Sequence, residues 1–436
     1  MNSSVPPVRV AVLGCGTVGS EVVRLLLESA GDLASRVGAP LELVGVAVKD
    51  PTEVPPAPGL DPALLTADPL ALARRADVVV ELMGGQEPAG SAILAAIQAG
   101  ASVVTANKAL LGLQGPKLYA AAAQAGVDLY FEAAVGGAIP ILRPVRESLA
   151  GDTITRILGI VNGTTNYVLD RMTREGLAFE DVLRQAQELG YAEADPTADV
   201  EGYDAASKAA ILASLAFHTR ISADDVYREG ITNITLADVA AARSTGHVIK
   251  LLAIVERKGS EGVIARVHPA LIPVSHPLAS VHGAFNAIYV EAEAAGELMF
   301  YGRGAGGRPT ASAVVGDLVT VARHRVQGSL GPGESTYLAL PPLAVGQAQT
   351  RFQIRLVVRD QPGVLAAVAE VIAGRGVSIE TVRQTAGNGH GGADWADLTV
   401  VTHQAAEADL QGVVAQLAQV EAVEAVSAVI RVEGGL

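Results

Sequence analysis

The run VRVAVLG passes without a break into GCGTVG and then EVVRLLLES, and few local patterns restrict a fold more. An apolar strand that turns at once into a helix, with Gly14, Gly16 and Gly19 in the turn, reads as the first unit of a doubly wound, Rossmann-type parallel sheet, with a plain tight turn as the alternative. The glycines permit a tight turn and bring backbone N–H groups to a pyrophosphate at the helix N-terminus, with Thr17 and Val18 completing the cradle. Up to about residue 130 the pattern recurs: LELVGVAV, ADVVVEL, ASVVTAN and VDLYFEA alternate with Ala/Leu-rich helical stretches. Such alternation requires a parallel sheet with helices on both faces. The second strand is followed by Lys49, suited to the 2′-phosphate of NADP, and Asp50, suited to the ribose of NAD. Both cofactors stay open, with Lys49 tipping the reading toward NADP.

A length of 436 residues suits two or three domains at about 150 residues each. The net charge of −14, from 32 basic and 46 acidic residues without a Lys/Arg cluster, argues against a nucleic-acid partner, because phosphate binding needs a basic face. No apolar run reaches the 18 or so residues of a membrane span. The start of the chain shows no charged region leading into a cleavable apolar stretch. The one cysteine, Cys15, excludes an intrachain disulfide framework and fits a reducing compartment. A cytoplasmic protein is expected.

The first block, 1–130, is expected to be completed by a helix near 309–325. The second, 131–308, reads as a substrate-binding α+β domain with short strands near IARVHPALIP and FNAIYVEA. Residues 326–350, VQGSLGPGESTYLALPPLAVGQAQT, are rich in Gly, Pro and polar residues without periodicity, which predicts a linker. From 351 to 436 the order is strand, helix, strand, a Gly/Asn/His turn, strand, helix, strand. That is the ferredoxin-like arrangement.

Chemistry concentrates between Ala186 and Lys208, in AQELGYAEADPTADVEGYDAASK. Glu193, Asp195, Asp199, Glu201 and Asp204 are too dense for a core, and the segment reads as an active-site loop feeding a helix. In DAASKAAILASLAFH, Asp204 and Lys208 fall at i and i+4 on one helical face and can pair; the plain alternative is a surface ion pair of small worth. TANKALL sets Lys108 just past the fourth strand, at the carboxyl edge where open α/β sheets present ligands. VNGTTNYVLDRM places Gly163 and Thr164 at a helix start, where N–H groups can meet a carboxylate or simply be capped. In YFEAAVGGAIP, Glu132 precedes a Gly-rich bend and could cap a helix.

The intervals of Ala186, Gly190, Asp195-Pro196, Asp199, Gly202, Asp204 and Lys208 resemble the signature of homoserine dehydrogenases, and the resemblance runs along the whole chain. It implies NADP- or NAD-dependent interconversion of L-aspartate 4-semialdehyde and L-homoserine. It gives Lys208 the role of proton donor, Asp204 that of its holder, and Lys108 a place facing both nicotinamide and substrate. It further implies that Glu193 and Asp199 bind the substrate ammonium and that Gly163, Thr164 and the Tyr191 region hold its carboxylate. Gly304 would line the cofactor pocket. Glu132 with the carbonyls of Val135, Gly137 and Ile139 would form a site for a monovalent cation such as sodium. The segment RDQPGVLAAVAEVIAGRGVSIETVRQ resembles an ACT regulatory domain, with Asp360, Pro362 and Gly363 in the effector turn, threonine as the expected effector, and a homodimer or homotetramer as the expected assembly. Aspartate-semialdehyde dehydrogenase shares substrate and nucleotide fold but needs a nucleophilic cysteine, and Cys15 lies in the phosphate loop. The remaining alternative, a catalytically silent cofactor-bound amino-acid sensor, would not require Lys208 and Asp204.

Overall fold

The computed structural model describes residues 5–52, 58–386 and 395–434; the Gly/Asn/His turn expected after VSIETVRQ falls within 387–394, outside them. Six strands, β1 (Val8–Leu13), β2 (Leu41–Ala47), β3 (Leu65–Thr66), β4 (Val78–Glu81), β5 (Ser102–Thr105) and β6 (Leu129–Tyr130), form a sheet in the order β3-β2-β1-β4-β5-β6. All its pairings are parallel. The strand order reverses between β1 and β4, and a ligand crevice opens there, past the carboxyl ends of the strands. β6 is shorter than VDLYFEA suggested, because Glu132–Ala134 turn into a single 3₁₀ turn. The helix expected near 309–325 spans Gly307–Gln327, and its Ala311, Val314, Leu318 and Val321 join the core formed by β1 and the Thr17–Glu28 helix.

The second sheet holds β7 (Ile154–Ile160), β8 (Tyr227–Arg228), β9 (His247–Lys258), β10 (Gly262–Pro273), β11 (Phe285–Ala292) and β12 (Gly296–Arg303), and continues into β13 (Gln349–Arg359), β14 (Ile379–Ala386), β15 (Trp395–Thr402), β16 (Ala405–Ala406) and β17 (Val423–Val432). Its main order is β12-β11-β7-β9-β10-β17-β13-β15-β14. β9 and β10 form a twelve-residue antiparallel hairpin pairing, longer than the short strands expected. The C-terminal strands and the helices Val364–Ala373 and Glu407–Leu417 give the ferredoxin-like order β17-β13-β15-β14 with their own core. They are not set apart: β17 pairs in parallel with β10, Ala270 opposite Arg431 and Leu271 opposite Val432.

Residues 326–350 depart from the expected linker. After the helix ends at Gln327 the chain runs as an extended strap across the catalytic half. Leu338 N–H donates to the His218 carbonyl, Val263 N–H to Pro341, and Leu343 N–H to Val263. Arg220 pairs with Glu334 at 3.2 Å, and His218 Nδ1 lies 2.9 Å from Ser335 Oγ. Gly, Pro and polar residues keep a chain from making its own helix or strand, but partners elsewhere can still satisfy its backbone. No helix among the described residues is long and apolar enough to cross a membrane.

Candidate active site

The nucleotide crevice begins at Gly14. A Cβ on Gly19 would lie 2.0 Å from the Gly14 carbonyl oxygen, so helix and turn touch backbone to backbone, whereas a Cβ on Gly16 would meet nothing within 4 Å. The Thr17–Glu28 helix has neither a side-chain cap nor an acidic residue in its first turn. Its first N–H groups therefore have no side-chain partner, which leaves the donor set a dinucleotide pyrophosphate needs. Val18 packs partly into the core beneath the turn. Burial raises the Cys15 thiol above its ordinary value, which makes it a poor nucleophile. Beyond β2, Lys49 is exposed, while Asp50 Oδ1 accepts from Thr52 N–H at 2.8 Å and Thr52 Oγ1 at 2.7 Å.

At the other side of the switch point, Thr105 Oγ1 donates to buried Glu81 at 2.6 Å. Asn107 caps the next helix through Leu110 N–H and donates to the Gly85 carbonyl at 2.7 Å. These bonds fix the first residue of the Lys108–Ala125 helix, Lys108, at the mouth of a cleft of about 780 Å³. The cleft is also lined by Gly137, Gly163, Thr164, Tyr191, Glu193, Asp199, Asp204, Lys208 and Gly304. The dense acidic loop and the two lysines, far apart in sequence, thus share one site.

Asp204 is its centre. One carboxylate oxygen is in contact with Lys108 Nζ; the other accepts from Lys208 Nζ at 2.7 Å and from Asn162 Nδ2 at 2.9 Å. Burial alone would push this carboxyl up, but the Lys208 and Lys108 ammonium groups prevail and hold it well below the usual carboxylate range. Lys208 Nζ also donates to the Val161 carbonyl at 2.7 Å, which aims a nearly buried ammonium from one fixed direction. Asn162 is a member that pattern reading did not assign: its amide also donates to Asp199 at 2.7 Å, while its Oδ1 caps Thr165 N–H. The signal was present, since an Asn before GTT is a helix cap, but a cap does not announce two carboxylates on its other face.

Gly163 and Thr164 open the Gly163–Glu175 helix, so their N–H groups have no intrahelical acceptor. Thr164 Oγ1 donates to the Tyr191 carbonyl at 2.6 Å, tying the acidic loop to this helix start, and the Tyr191 ring packs 5.1 Å from that of Tyr167. Glu193 stands exposed in the cleft. Asp195 and Glu201 are spent elsewhere, on Thr197 and Thr232. Gly304 is wedged in place: a Cβ there would lie 2.0 Å from Asn286 Nδ2, and one on Gly137 would lie 2.3 Å from the Gly304 oxygen.

The Glu132 carboxylate serves as the cap that the sequence offered as one reading, taking N–H bonds from Ile141, Leu142 and Arg143 at 2.5, 2.7 and 3.0 Å. The carbonyls of Val135, Gly137 and Ile139 accept no backbone hydrogen bond among the described residues. In the C-terminal block, Asp360, Pro362 and Gly363 form an exposed turn before the Val364–Ala373 helix, and Asp360 accepts from Gln384 Nε2 at 3.0 Å.

Comparison with known proteins agrees with this architecture. Residues 14–132 match the family model for the NAD binding domain of homoserine dehydrogenase, 140–319 that for homoserine dehydrogenase, and 352–422 that for the ACT domain. Sheet, cleft and matches together define an oxidoreductase with a nicotinamide-binding domain and a C-terminal ACT domain. A homoserine dehydrogenase of Corynebacterium glutamicum is 56% identical over 432 residues, covering 98% of this chain and 96% of that protein. The crystal structure of a homoserine dehydrogenase from Thiobacillus denitrificans superposes with a TM-score of 0.90 at 39% identity, covering 98% of both chains. A hyperthermophilic archaeal homoserine dehydrogenase in complex with NADPH gives a TM-score of 0.63 at 26% identity over 75% of this chain and 99% of that one. The chain belongs to the homoserine dehydrogenase family.

Proposed function

We propose that the protein interconverts L-aspartate 4-semialdehyde and L-homoserine reversibly, in the route to threonine, methionine and isoleucine. The observation that carries this reading is the single carboxylate of Asp204 holding Lys208 and Lys108 at the cleft shared with the acidic loop. The nicotinamide, when bound, supplies or receives the hydride. Lys208 gives its proton to the carbonyl oxygen of the semialdehyde, and takes it back from the hydroxyl of homoserine in the reverse direction. Two of its three N–H groups are fixed by Val161 and Asp204, leaving one for the substrate. Lys108 adds positive charge beside the same oxygen and stabilises alkoxide character. Glu193 and Asp199 receive the α-ammonium, and the N–H groups of Gly163 and Thr164, beside Tyr191, receive the carboxylate.

Gly14, Gly16, Thr17, Val18 and Gly19 would hold the pyrophosphate, with Gly304 on the nicotinamide side. Thr52 engages only one oxygen of Asp50, so both residues remain available to the adenosine ribose, and the charge of Lys49 tips the reading toward NADP over NAD. The carbonyls of Val135, Gly137 and Ile139 suit a sodium-like cation, which prefers oxygen ligands. An amino-acid effector, threonine, is assigned to the ACT domain near Asp360–Gly363, with cytoplasmic location and a homodimeric or homotetrameric assembly. Initial rates with homoserine and each nicotinamide cofactor, with and without threonine, test the reading; absence of homoserine-dependent nicotinamide reduction ends it.

A further inference from the structure

Lys250 interrupts the apolar run of β9. Its neighbours Ile249, Leu251 and Leu252 are buried, and Lys250 itself is only 2% exposed. Among the described residues no carboxylate lies within ion-pair distance of it; its ammonium donates instead to Asn166 Oδ1 at 3.0 Å and to the Val281 carbonyl at 2.6 Å. Burial pushes it down to about 8 against the opposing pull of Asp170. A buried ammonium held by neutral oxygens is expensive, and nothing in the packing of β9 calls for one.

Those bonds end at the substrate helix. Asn166 lies one turn beyond Gly163, and its Nδ2 reaches the carbonyls of Val281, Gly283 and Phe285 at 3.2, 2.9 and 3.2 Å. Asp170, a turn further, accepts from Gly283 N–H at 2.9 Å. The segment from Val281 to Phe285 is thereby tied to the Gly163–Glu175 helix, and it presents Ala284 and Asn286 to the cleft. The Ala284 oxygen approaches so closely that a Cβ on Gly163 would lie 2.9 Å from it. Asn286 is 1% exposed, yet among the described residues neither its Oδ1 nor its Nδ2 has a partner. A buried primary amide left unpaired marks ground arranged for a ligand rather than for the core alone.

We infer that Lys250 is a positioning residue for the amino-acid end of the substrate: through Asn166 and Val281 it fixes the turn before Asn286 against the Gly163–Thr164 helix start. This rests on the reading of that helix start as the carboxylate site. The test compares Lys250→Met with the wild-type full chain in steady-state kinetics and thermal melting. The expected result is a KM for homoserine raised about tenfold or more, with kcat within about threefold and the nicotinamide KM unmoved. Should Lys250→Met not fold, Lys250→Gln, uncharged but still able to donate a hydrogen bond, carries the test with the same expected split. An unchanged homoserine KM in a folded variant, or equal rises in both KM values, overturns the inference. A wild type inactive on homoserine would instead overturn the functional reading itself.

Discussion

Asp204 does the work of two counter-ions, since Lys108 and Lys208 both rest on it. Its folded value lies below that of an unfolded aspartate, near 3.9. It therefore contributes stability that is fully present above about pH 4 and is lost as the pH falls through the folded value. Asp204→Asn should lower the melting temperature most at neutral pH, and the gap to wild type should narrow as the pH falls below about 4; a gap constant through that acid range would show that the charge is not what matters. Lys208→Ala should keep the fold and lose kcat by about a hundredfold or more, the scale of a lost general acid. Unchanged turnover in the folded variant would reassign the donor, with Lys108 next in line. Glu193 is exposed, so the pair proposed for it with a substrate ammonium would be screened and worth about 1 kcal/mol, which sets the expected rise in the KM for homoserine on Glu193→Gln at roughly fivefold. An equal loss of nicotinamide affinity would put Glu193 in the wrong place.

At the level of elements, what could be read from sequence was whatever local geometry determines. GCGTVG between strand and helix, the helix start at Gly163 and Thr164, and the i, i+4 pair of Asp204 and Lys208 each need only a few residues of context. β9 and β10 were under-read because buried strands lack the polar alternation that marks a half-exposed one, and Lys250 breaks the apolar run. The strap at 331–343 was hidden for a different reason: its order comes from His218, Arg220 and Val263, which no window of sequence places beside it. Capping by Glu132 was legible as one option, but its three N–H partners, 9 to 11 residues later, were not. The glycine turn offers a direct test. A methyl at Gly19 would sit 2.0 Å from the Gly14 oxygen, so Gly19→Ala must part the helix from the turn at a cost of about 1–3 kcal/mol. Nicotinamide titration should show weakened binding along with a lower melting temperature. Full cofactor affinity in that variant would mean that the turn does not set the pyrophosphate site.

For the whole molecule, the question is whether the C-terminal domain can be detached. Composition argued that it could, because 326–350 resembled a linker; the contacts argue otherwise. Glu433, held down to about 2 by Arg266 and Arg156 against the opposing effect of burial, sits just past β17 and pairs with Arg266 at 3.2 Å. The Arg266 side chain is fully buried, with Glu256 at 2.7 Å as its other carboxylate. Arg431 reaches Glu229 at 2.9 Å, so both ends of the parallel β10–β17 step are pinned by charge. Cutting the chain after about residue 330 removes Glu433, opens the β10 edge and strips away the strap. The loss of one partner from a buried charge pair alone costs about 3–5 kcal/mol. That truncation should therefore melt well below the full chain or aggregate, while a cut after residue 347, which keeps the strap, should fall between the two. Equal melting temperatures for both truncations and the full chain would restore the separable domain. The same seam sets how an effector on the ACT domain can act, because a bound ligand shifts activity only through contacts that differ between two states. If threonine acts there, Glu433→Gln should keep homoserine oxidation and weaken the threonine response. Inhibition unchanged in that variant and in the strap-retaining truncation would place threonine in the active-site cleft, as a mimic of homoserine.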